Sequence, residues 1–106
     1  LSSGGAMSAI AGLDQLAAMS EATPAITIMP GGGITADTIA TLATRLHLTE
    51  VHASCSSPQP DPVNAAITAF GFQPPNARAT DVNSVRALRA ALDQIAASRP
   101  SGWTAA

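Results

Sequence analysis

The sequence predicts an α/β fold assembled from βα units in parallel order, and three observations carry that prediction. Short apolar, β-branched runs, "AITIM" at 25–29 and "EVHAS" at 50–54, alternate with segments of helical periodicity. The connections between them are short, as parallel strands joined by right-handed crossovers require. Glycine-rich turns stand where strands should give way to helices, at Gly4–Gly5 and Gly31–Gly33. Two or three parallel strands cannot cover both faces and both edges of a sheet. An eight-fold βα barrel takes about 250 residues. The 106 residues therefore read as a partial TIM-type (β/α)8 barrel, the last βα units of the barrel.

Taken in order, "LSS" at the start reads as the end of an earlier strand. Residues 8–20, "SAIAGLDQLAAMS", place Ile10, Leu13, Leu16 and Ala17 at helical spacing, with Ser8 as N-cap. Residues 25–29 are apolar on both faces, as in a strand covered on both sides, and Pro30 and the glycines end it. Residues 35–46 predict a second helix capped by Thr35, with Asp37 in its first turn and Ile39, Leu42, Ala43 and Leu46 inward. Residues 50–54 form the next strand. Residues 56–79 hold five prolines and read as a long loop. Residues 81–98 predict the last helix, capped by Thr80 or Asp81, with Val85, Leu88, Leu92, Ile95 and Ala96 inward. This divides the chain into a barrel portion at 1–99 and a flexible tail at 100–106. The first residue is Leu1 rather than methionine, which leads us to expect that the natural protein extends upstream.

Composition narrows the function classes. The chain is 46% hydrophobic but only 3% aromatic, so its core is made of Ala, Val, Ile and Leu and buries little area per residue. The net charge is −2, there is no lysine, and five arginines supply the basic groups. No nucleic-acid partner is expected, because that surface needs clustered positive charge. No membrane partner is expected either, since no apolar run approaches the roughly 20 residues of a span. A single cysteine, Cys55, rules out an internal disulfide and fits a reducing cytoplasm.

The chemistry concentrates in two places. The first is Gly31–Gly33 followed by Ile34, Thr35 and a helix. Glycine lets backbone approach a ligand, and unpaired N–H groups at a helix start attract anions. Ser3, Gly4 and Gly5 repeat the device, so two adjacent loops could form one oxyanion-binding floor. Alternatively, the glycines only permit a tight turn and close packing. The pattern is neither a Walker loop nor a dinucleotide fingerprint. The second place is His52–Ala53–Ser54–Cys55. In a strand His52 and Ser54 share a face, which would put them at the barrel mouth. Three readings stay open: a soft-metal site using Cys55 and His52, an acid–base site with His52 moving the proton, or a packed histidine and a small buried thiol. Few further metal ligands are on offer, because His47 lies at a helix end and Met7, Met19 and Met29 do not cluster.

At these residues the chain resembles the copper homeostasis protein CutC family. The matching segments are "LSSGG" before a "GLDQL" helix, "ITIMPGGGIT", "EVHASCS" and "ATDVNSVRALRAAL", in family order over nearly the whole chain. The resemblance implies a TIM-type barrel, a cytoplasmic homo-oligomer, copper as Cu(I) for a bound ion, and a chain that is the C-terminal portion of the domain. Gly31–Gly33, His52, Ser54, Thr80, Asp81 and Arg86 match. The family commonly places a small residue and then an arginine after its "HxS", whereas this chain has Cys55 and Ser56. Three functional expectations follow. The first is a copper-binding homeostasis protein using Cys55 and His52. The second is an enzyme or binding protein for a small phosphorylated or carboxylated metabolite, held by Ser3, Gly4, Gly5, Gly31, Gly32, Gly33, Thr35 and Ser54. The third is a truncated chain without activity of its own.

Overall fold

The computed structural model describes residues 1–99; the tail expected at 100–106 lies outside the described residues. Helix α1 spans Leu13–Ala22, α2 Ile39–Ala43, α3 Ala65–Ala69 and α4 Val82–Ala97, while β1 (Ser56–Pro58) and β2 (Arg78–Thr80) pair antiparallel. Three further extended segments run side by side. Ser2 bridges Pro30 and Gly31 bridges His52, both in parallel. Three bonds hold them: Ser2 N–H to Met29 C=O (3.0 Å), Gly31 N–H to Ser2 C=O (2.9 Å) and His52 N–H to Pro30 C=O (3.0 Å). The parallel arrangement with helical connections is the predicted α/β order. Its ladder is shorter than expected, because Pro30 has no N–H to donate and interrupts the central segment. The segment is also less covered than expected: Ile28 packs on the core, but Ala25, Ile26 and Thr27 are exposed.

The helices differ from expectation at their starts. Regular helix begins at Leu13, not Ser8. Ser8 instead closes a turn, with its hydroxyl accepting from Ala11 N–H (3.2 Å). That turn leaves Ile10 partly exposed, while Leu16 and Ala17 are buried. The segment from Thr35 to Leu46 coils as expected, but only Ile39–Ala43 is regular helix. Thr35 does not cap with its own side chain. The Thr38 hydroxyl reaches back to accept from Thr35 N–H at 3.0 Å, half of a capping box. Residues 56–79 are not one loop: they hold β1, α3 and β2.

Helix α4 follows the sequence most closely. Asp81 caps it, its carboxylate accepting from Asn83 N–H at 2.9 Å. Asp81→Ala is expected to lower stability by about 1 kcal/mol, read as a lower urea midpoint. The inward stripe is narrower than expected: Leu88 is buried, Leu92 and Ile95 pack on the core, but Val85 is 43% exposed and Ala96 is exposed. The core joins Leu16 of α1, Ile39 and Leu42 of α2, Leu46 and Leu48 beyond it, and Leu88 of α4. The Arg99 guanidinium donates to the Leu48 carbonyl and ties the end of α4 to the segment after α2. The radius of gyration is 17.1 Å, against about 13 Å for a compact 100-residue domain. Around α3, Val63, Phe70 and Phe72 stand exposed. Among the described residues, no helix is long and apolar enough to cross a membrane.

Candidate functional site

Because the three bridged segments are parallel, the loops that follow Ser2, Gly31 and His52 all leave from the same edge. Ligands of parallel α/β sheets bind outside that carboxyl edge. A cavity of about 620 Å³ opens there, between the loop Gly32–Asp37 and the segment His52–Ser56. Arg78 of β2 and Ser84 and Leu88 of α4 also reach it. The volume lies in the range of small-molecule sites.

Two sequence-predicted clusters meet at this cavity. Gly32, Gly33 and Thr35 line it from one side, His52, Ser54 and Cys55 from the other. Gly31 is buried beside them, bridged to His52 rather than lining the space. Gly32 and Gly33 carry φ values of +103° and +65°, the region that disfavours side chains. No hydrogen bond among the described residues uses the N–H of Gly33 or Ile34. The N-terminal glycine turn is not part of the lining. It closes on itself: the Ser3 hydroxyl donates to Ala6 C=O (2.7 Å) and Gly4 N–H donates to the Ser2 hydroxyl (2.9 Å). Ser3 instead packs beside Gly32, and Gly5 stands exposed with φ +76°.

The strand alternation predicted for 52–55 is observed. In burial, His52 and Ser54 are exposed, whereas Ala53 and Cys55 are half-buried and pack against the core, and all four line the cavity. Cys55 is half-buried and adopts φ +50°, which turns the chain out of the extended segment and into β1. Among the described residues, no group of three His, Cys, Asp or Glu side chains could hold a metal ion. Arg86, matched by resemblance, is exposed on α4 and does not line the cavity.

Sequence reasoning missed Arg78 and Ser56. Both lie in the stretch read as loop, and the antiparallel pairing of β1 with β2 brings them together. Arg78 Nε donates to the Ser56 hydroxyl at 3.0 Å and Nη2 to the Ser56 carbonyl at 2.7 Å. The Ser54 hydroxyl donates to the same Ser56 oxygen at 3.2 Å. A period of two in Arg78–Ala79–Thr80 was the available signal: Thr80 also reaches across, donating to Ser54 C=O at 3.0 Å.

The family model described as the CutC family matches residues 1–57, which include the three bridged segments and the glycine loop. The chain belongs to the CutC family. It is 47% identical over 98 residues to a CutC family protein of Rhizobium meliloti (strain 1021), covering 92% of this chain and 40% of the relative. A CutC family protein of Sinorhizobium medicae (strain WSM419) is 43% identical over 98 residues, again 92% of this chain and 40% of the relative. One of Agrobacterium fabrum (strain C58 / ATCC 33970) is 42% identical over 94 residues, 87% of this chain and 37% of the relative. The chain thus spans about two fifths of the length of these CutC relatives.

Proposed function

We propose that the protein serves copper homeostasis as a cytoplasmic TIM-type (β/α)8 barrel, a homo-oligomer in which the described residues supply the small-ligand cavity. The observation that supports the role is membership of the CutC family. The parallel order Ser2, Pro30–Gly31, His52 fits successive strands of such a barrel. The copper ligands are a separate matter, and the donor set here does not fit a copper centre by itself. Thiolate and imidazole suit Cu(I), and Cys55 and His52 both line the cavity, but among the described residues no third His, Cys, Asp or Glu is grouped with them. Each would contribute one donor at most, and the remaining donors would come from beyond the described residues or from a second protomer.

The test is an anaerobic Cu(I) titration of the protein against a competing chelator, with Cys55→Ser and His52→Ala beside it. We expect stoichiometric binding by the parent and affinities within about threefold in both variants, a difference under roughly 1 kcal/mol. A tenfold loss in either variant would place the copper site on that side chain. Failure of the parent to bind would overturn the copper role.

A second reading is favoured by the cavity itself. A lining of free backbone N–H groups, hydroxyls and one arginine suits a small phosphorylated or carboxylated molecule. Gly32, Gly33, Thr35 and Ser54 would hold it. His52, at the same edge, is the side chain able both to accept and to return a proton.

A further inference from the structure

We infer that Arg78 is the charged anchor of this cavity and that the ligand it selects is a small hydroxylated anion, a phosphate monoester or a carboxylate. The inference deepens the second reading above and rests on it.

Hydrogen-bond accounting carries it. The Ser56 hydroxyl accepts from both Arg78 Nε and the Ser54 hydroxyl, so its two lone pairs are occupied and its own proton is left to donate. Arg78 spends two N–H groups on Ser56, through Nε and Nη2, out of the five a guanidinium carries. Those two bonds to one residue hold the planar group in one orientation while leaving donors unspent. The N–H groups of Gly33 and Ile34 are also unspent. The lining is therefore rich in donors, and a donor-rich cavity is satisfied by an acceptor-rich ligand.

Charge points the same way. Arg78's partner is a neutral serine. The ion pairs among the described residues join Arg45 to Asp14 and Arg89 to Asp93, and neither involves Arg78. An oriented fork whose charge is not cancelled matches the two-oxygen geometry of a carboxylate or phosphate. Asp37 is the one carboxylate on the lining. It opposes a bare anion and offers an acceptor to a ligand hydroxyl, which is why the ligand is assigned a hydroxyl beside its anionic group.

The test is calorimetric titration of the protein with inorganic phosphate, glycerol phosphate and glycerate, repeated on Arg78→Ala and Arg78→Lys. Thermal unfolding of each variant checks that it is folded. We expect the parent to bind glycerol phosphate or glycerate at least threefold more tightly than inorganic phosphate, and the better of the two identifies the anionic group. Arg78→Ala should weaken that ligand about tenfold or more, the scale of lost charge-assisted hydrogen bonds. Arg78→Lys, a point charge without the fork, should recover only part of the loss. Equal binding by the parent and a folded Arg78→Ala would overturn Arg78 as anchor and leave the cavity reading standing. Full recovery by lysine would overturn the role of the fork. No preference over inorganic phosphate would overturn the hydroxyl requirement. Absence of binding of all three by the parent would overturn both the cavity reading and this inference.

Discussion

Leu42→Ala is expected to cost about 2–5 kcal/mol, the range for emptying a leucine site in a core. Leu42 is fully buried and stands on α2, a helix of only five residues. A helix that short has no stability of its own, because nucleation is unfavourable and too few turns follow. It persists through its packing on α4 and on the leucines around it. Among the described residues the core has no aromatic member to compensate. A loss of this size is a large share of the roughly 5–15 kcal/mol that stabilises a typical domain. Urea unfolding should show the midpoint falling sharply. Val63→Ala is the control: Val63 is fully exposed, so its truncation should stay within about 0.5 kcal/mol. Similar midpoints for the two variants would show that the packing of α2 on α4 is not the centre of stability.

Gly12→Ala is expected to be almost as damaging, at about 3 kcal/mol or more, the upper end of overpacking costs. Gly12 has φ −95°, a value any residue adopts, so backbone strain plays no part. The obstacle is space. A Cβ at Gly12 would lie 1.9 Å from the Ser3 carbonyl oxygen, and one at Gly4 would lie 2.3 Å from the Gly12 oxygen. These atoms are backbone and cannot swing aside. The first extended segment and the turn leading into α1 must separate, and the Ser2 bonds to Met29 and Gly31 are next in line. Gly5→Ala provides the contrast. Gly5 has open space around it but φ +76°, so alanine there should cost only the left-handed penalty of roughly 1–2 kcal/mol. Chemical denaturation of both variants separates the two causes. A Gly12→Ala protein as stable as the parent would disprove the close approach.

These two glycine positions show how far the sequence could be read. A run of glycines signals special backbone, but not whether ligand, backbone or turn is the reason. Here the reasons divide. Gly12 allows one backbone to touch another at an ordinary φ, Gly4 combines close approach with positive φ, and Gly32 and Gly33 hold positive φ beside a cavity. Gly12 was not singled out in the sequence, because its partner is distant from it along the chain at Ser3–Gly4. Arg78 was illegible for the same reason: its function depends on Ser56, 22 residues away, across a strand pair hidden among prolines.

What the sequence determined by itself was local. The α/β order, α4 with its Asp81 cap, the alternation that sets His52 and Ser54 apart from Ala53 and Cys55, and the glycine loop before α2 all depend on neighbours within a few residues. Periodicity and capping express such short-range terms directly. The tertiary structure decided the rest: which apolar positions are covered, where the parallel ladder stops, and which polar groups share the cavity. Those outcomes depend on contacts between residues far apart in the chain. Burial and hydrogen-bond partners belong to pairs of segments, and no single segment of the sequence carries them.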